Sequence, residues 1–125
     1  MRIVHGDLLT SGARYIIQQC NCVSVGSAGL ARAIEAKFPY CRPYKRHQGT
    51  ATTDPGTARV FACPRGYEGP DIVCLFAQYY PGEPGTHDRK YAWKPLPPKP
   101  DSAQQRLEWF AEALGVFLAS SPAAG

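Results

Sequence analysis

The chain has 125 residues, 44% of them hydrophobic and 19% charged, with a formal net charge of +4. That length buries one core without disulfide or metal staples, so residues 1–125 are expected to form a single domain. No apolar run is long enough to span a membrane, "MRIVHGDLL" at the start has no secretory h-region, and so small a positive excess with no block of Lys or Arg does not specify nucleic acid.

Taken in chain order, Ile3 and Val4 mark a first strand, which gives way to Gly6 and Asp7. Tyr15, Ile16 and Ile17 mark a second, and it runs into the polar, thiol-bearing Gln18, Gln19, Cys20, Asn21 and Cys22. A loop of small residues, Gly26, Ser27, Ala28 and Gly29, precedes a helix over residues 29–37, with Leu30, Ala33, Ile34 and Phe38 at helical spacing and Pro39 closing it. Residues 58–63 and 72–77 are apolar runs that read as two further strands. Six prolines and two glycines between 81 and 100 preclude sheet or helix, so this segment is a long loop. It ends at Asp101, expected to cap a second helix with Gln104 three residues on, and Leu107, Phe110, Leu114, Phe117 and Leu118 mark one face of that helix.

Five cysteines, an odd number, stand inside apolar runs such as "RVFACP" and "DIVCLFAQ". They read as small buried hydrophobes in a reducing compartment, the cytoplasm or nucleus. "CNC" is too tight to be half of a zinc ribbon and no C-x-x-C accompanies it, so no metal site is expected.

Chemistry concentrates at the second strand and the loop behind it. The N-terminus of a helix presents unpaired N–H groups and the positive end of a dipole, and small residues before it let backbone approach an anion. Gly26, Ser27, Ala28 and Gly29 fit a phosphate loop in that context, or a plain connector, since neither G-x-G-x-x-G nor G-x-x-x-x-G-K-[ST] is present. Asn21 either braces the loop or meets a ligand, because a buried amide needs a partner. Asp7 either caps a turn or accepts from an exocyclic amine. Cys20 and Cys22, with His5 and His47 as bases, are weaker candidates for a nucleophilic site.

In this order, "GDLL", a strand ending in Asn21, a small-residue loop and "GLARAI" resemble a macro domain, the α/β module that binds ADP-ribose. "IIQQCNC", "GLARAI" and "DSAQQRLEWF" look most like a divergent branch that processes ADP-ribose 1″-phosphate. The resemblance covers essentially the whole chain. It implies an α/β fold, a macro-like three-layer α/β/α sandwich around a central mixed sheet. Asp7 would then meet the adenine amine, with the Leu8 backbone N–H beside it. Asn21 would contact the distal ribose and is the one catalytic candidate, holding a water. Gly26, Ser27, Ala28, Gly29 and Leu30 would supply donors to the phosphates, and Gln78 and Tyr79 would flank the sugar or base, Tyr79 and Tyr80 otherwise being loop packing. No cofactor is implied, and the partner is ADP-ribose or an ADP-ribosylated protein met by a monomer.

Two departures bear on catalysis. One hydrolytic type carries an Asp at the helix entry, where this chain has Ala31, and another uses a Lys where this chain has Gln78. Family members also continue with a strand, a second Gly-rich phosphate loop and a last helix, for which the sequence to Gly125 offers no counterpart. The expected activities are therefore ADP-ribose binding extended to phosphatase or ADP-ribosyl hydrolase turnover, a non-catalytic reader, or a truncated domain with impaired binding.

Overall fold

The computed structural model describes residues 9, 12–24, 26–44, 53–85 and 96–120. Over them the chain runs β1 (Tyr15–Asn21), α1 (Gly29–Lys37), β2 (Thr57–Phe61), β3 (Asp71–Gln78) and α2 (Ala103–Ser120). The expected first strand at Ile3 and Val4 lies outside the described residues. The three strands form one mixed sheet in the order β1-β3-β2, with β1 parallel and β2 antiparallel to β3. Over the described residues the chain is thus a small α/β protein with a three-stranded mixed sheet and two helices.

β3 is the organising element because, among the described strands, it alone has a strand on each side. Its run "DIVCLFAQ" is buried from Ile72 to Ala77, as a strand covered on both faces must be. Alternate side chains go to separate clusters. Ile72, Cys74 and Phe76 pack with Ile16 and Cys20 of β1 and with Ile34 and Phe38 from α1 and its cap. Val73 and Leu75 pack with Ala113 and Phe117 of α2. β1 has the same period of two: Ile16, Gln18 and Cys20 are buried, while Ile17 and Gln19 are exposed. The register slips between Cys20 and Asn21, where Asn21 pairs with Gln78 and Ala77 is skipped, so the sheet becomes irregular at the ends of both strands.

Each helix ends for a local reason. The Phe38 N–H returns to the Ile34 carbonyl at 2.7 Å, and Pro39 cannot continue the ladder. At the start of α2 the cap is Ser102 rather than Asp101: Ser102 Oγ accepts from Gln105 N at 3.1 Å. Asp101 is displaced from the expected role because its carboxylate is buried against Arg106. The expected apolar face of α2 holds in part: Phe117 is buried and Leu114 packs beside it, but Leu107, Phe110 and Leu118 are exposed. Trp109, Ala113 and Phe117 are the buried hydrophobic side chains, whereas Leu107 is 67% and Leu118 63% exposed. Gly56, before β2, has φ +81 and sits so close to α2 that an added Cβ would collide with Glu112 and approach Trp109. The left-handed backbone there favours glycine.

Candidate functional site

β1 and β3 run parallel, so both deliver their carboxyl ends to one side of the sheet, the place where open α/β sheets leave a crevice. A cleft of about 370 Å³ lies there. Its floor is Gln18, Gln19 and Asn21 of β1 with Gln78 of β3; one wall is Gly26, Ala28 and the entry of α1; the other is Pro81 and Gly82. A second cleft, about 410 Å³, sits at the opposite end of the sheet among Leu9, Arg14, Lys37 and Glu68. It adjoins the start of β1 and the negative end of the α1 dipole, and none of the expected site residues among the described ones lines it.

The wall made by α1 is an open helix N-terminus. Ala28, at the cap, makes no side-chain hydrogen bond, and no acidic residue stands in the first turn. Arg32 N is the first amide to bond back, to Ala28 O at 3.4 Å, so the N–H groups of Gly29, Leu30 and Ala31 have no intrahelical acceptor. Gly29 holds φ +56 and, among the described residues, nothing lies within 4 Å of where its Cβ would be. The dipole therefore opens onto the cleft beside small residues.

Asn21 lines the cleft, yet its amide is engaged by the protein. Asn21 Oδ1 accepts from Val23 N at 3.0 Å and Ser24 N at 2.7 Å, bracing the start of the loop. Its Nδ2 donates to the Tyr44 hydroxyl at 3.3 Å. Burial, then Cys20, pushes the Tyr44 phenol well above its ordinary range, so it stays protonated. Gln78 is held on both sides: Oε1 accepts from Gln19 Nε2 at 2.7 Å and Nε2 donates to Tyr80 O at 2.9 Å.

The remaining expected residues divide. Gly26, Ala28, Gly29, Leu30 and Gln78 join Asn21 around the cleft. Ser27 does not line it, and its hydroxyl donates to Glu35 instead. Tyr79 is 2% exposed and stacks edge-on against Tyr80 in the core, its carbonyl accepting from Cys22 N at 3.0 Å. Asp7 and Leu8, with His5 and His47, lie outside the described residues. The far wall is fixed by an ion pair that the sequence reading assigned otherwise. Arg106 grips Asp101 with Nε and Nη2, each at 2.9 Å, while Nη1 donates to Gly82 O at 2.6 Å.

All five cysteines are free thiols. Cys20 and Cys22 are enclosed, and burial, then Asp101 and Asp54, pushes the Cys22 thiol far up. A protonated, inaccessible thiol is the opposite of a nucleophile. Among the described residues no group of three or more His, Cys, Asp or Glu side chains is arranged to hold a metal ion, and no helix is long and apolar enough to cross a membrane. Sequence reasoning missed Gln18, Gln19 and Tyr44 as cleft residues. Gln18 had a visible signal, a polar residue in phase with buried Ile16 and Cys20.

Compared with known proteins, the chain matches no family model, and no curated protein or solved structure matches it significantly.

Proposed function

We propose that this chain is a macro-like module that binds ADP-ribose or a derivative of it in the cleft at the carboxyl ends of β1 and β3. The observation that carries the reading is the uncapped N-terminus of α1 opening onto that cleft, with small residues at Gly26, Ala28 and Gly29. Such an end attracts phosphate through backbone N–H groups and needs no cationic side chain. The resemblance of "GDLL", Asn21 and "GLARAI" to macro domains then selects a diphosphate-bearing nucleotide sugar among anions. The two-sided packing of β3 is in keeping with a three-layer sandwich. Free thiols in a buried core suit the reducing cytoplasm or nucleus.

Binding without efficient turnover is the form this cleft supports best. No carboxylate, His or Lys lines it among the described residues, and Asn21 has its carbonyl oxygen committed to Val23 and Ser24. General acid–base catalysis is worth roughly 10²–10⁴-fold, and those groups would be needed to supply it. Release of ADP-ribose from modified protein, and of phosphate from ADP-ribose 1″-phosphate, is therefore expected to be slow or undetectable. Titrating ADP-ribose into ¹⁵N-labelled protein tests the site. The amides of Gly26, Gly29, Leu30 and Ala31 should shift together. Shifts confined to Gly12, Lys37 and Glu68 at the opposite cleft would place the ligand elsewhere and overturn the reading.

A further inference from the structure

Gln18 is 5% exposed, yet it lines the cleft. It lies on the buried face of β1, and its amide nitrogen is held there by two sulfurs: Nε2 donates to Cys74 Sγ at 3.4 Å and to Cys41 Sγ at 3.6 Å. Two hydrogens on one nitrogen meet two acceptors, which fixes the plane of the amide. The carbonyl oxygen is then forced to the opposite side. Among the described residues nothing donates to it.

An acceptor without a protein donor is met by water or by a ligand. The one fully enclosed side-chain nitrogen or oxygen that lacks a partner among the described residues is Gln105 Nε2, so Gln18 Oε1 still touches open space. The open space beside Gln18 is the cleft. Its neighbour Asn21 cannot serve as the acceptor there, since Asn21 Oδ1 already takes two backbone N–H groups.

We propose that Gln18 Oε1 is the acceptor with which the cleft selects a ligand bearing a hydroxyl beside its phosphate, so that the site takes sugar phosphates in preference to bare anions. The uncapped α1 end supplies donors for the phosphate, and Gln18 supplies the complementary acceptor for the sugar. The role expected of Asn21 at the distal ribose passes to Gln18. This rests on reading the cleft as an ADP-ribose site, and it extends that reading to the group that recognises the sugar. The cysteines become positioning residues, since Cys41 and Cys74 set the direction in which the Gln18 carbonyl points.

Calorimetric titration of the whole chain with ribose 5-phosphate, its 2-deoxy and 3-deoxy analogues, and ADP-ribose tests this. A site built to accept from a hydroxyl rejects the analogue that lacks it. One deoxy analogue should bind about tenfold more weakly than ribose 5-phosphate. In Gln18→Met, of similar reach without the acceptor, that analogue and ribose 5-phosphate should bind alike, while Gln18→Glu keeps an oxygen in place and should retain the discrimination. Equal binding of all three sugars by the wild-type protein overturns the proposal without need of any variant, as does discrimination that survives Gln18→Met. In either case tight ADP-ribose binding would leave the ADP-ribose reading standing. Gln18-dependent discrimination with ADP-ribose bound no better than ribose 5-phosphate supports the proposal and removes ADP-ribose as the ligand. No heat with any of the four overturns both.

Discussion

Asn21 and Asp101 are both polar, both nearly enclosed, and both braced by the backbone, but they stabilise different things. Asn21 closes a tight turn after β1 by accepting from Val23 and Ser24, and so holds the cleft floor in shape. Asp101 is a charge, its side chain wholly buried, and it depends on the Arg106 fork and on Tyr80 N at 2.9 Å. Removing one partner of a buried pair leaves the other uncompensated, at a cost of about 3–5 kcal/mol. Arg106→Met should therefore lower the unfolding free energy measured in urea by that scale, and it should also weaken ligand binding because Gly82 and Tyr80 lose their anchor. By contrast Arg42→Met, which breaks a pair with Glu35 at 3.5 Å whose arginine is half exposed, should change stability by less than about 1 kcal/mol. Equal effects would mean that the Asp101 pair is as solvated as a surface one. The chemistry at Asp101 was legible in part. An acidic residue before a helix reads as a cap, and nothing local reveals that an arginine five residues on has claimed it.

At the level of elements, hydrophobic period predicted where the strands and helices lie better than which side they bury. The start and end of α1 and the core of β3 follow from Gly29, Pro39 and an unbroken apolar run. α2 lies where expected and Phe117 and Leu114 of its expected face pack inward, but Leu107 and Leu118 do not, because large apolar residues occur on two adjacent stripes and volume alone cannot rank them. What decided it was shape: small Ala113 lets the helix approach Val73 and Leu75, and Trp109 meets the turn at Gly56. Phe117→Ala should cost about 3–5 kcal/mol in chemical denaturation. Leu118→Ala, one residue on and 63% exposed, should stay within about 0.5 kcal/mol. Ser102→Ala should cost about 1 kcal/mol by loss of the cap. A larger loss at Leu118 than at Phe117 would show that the side of α2 carrying Leu118 is the buried one.

For the whole molecule, the buried thiols make stability depend on alkali. A hydrogen bond with Cys74, then burial, raises the Cys41 thiol; a hydrogen bond with Cys20 is the first cause at Cys74; burial is the first at Cys22. All three stand above the ordinary value of 9.0. The unfolded chain loses these protons as pH rises through that value and the folded chain keeps them, so stability is full below it and falls above it. The slope is at most about 1.4 kcal/mol per pH unit for each thiol. Urea midpoints measured at neutral pH and stepwise above 9.0 should show that fall, less steep in Cys22→Ala; an unchanged slope would mean the thiols ionise in the fold. The same sheet that encloses the thiols sends β1 and β3 to one end, where an open helix terminus and a floor of amides meet. That convergence was legible as an order of motifs. The amide geometry was not, because it depends on Cys41 and Cys74, which are distant in sequence from Gln18. The ligand proposed for the cleft meets it through its diphosphate and distal sugar. Side-by-side calorimetry with ADP-ribose and AMP tests it most directly: ADP-ribose should bind at least tenfold more tightly, about 1.4 kcal/mol, and equal affinities, or no heat from ADP-ribose, would contradict it.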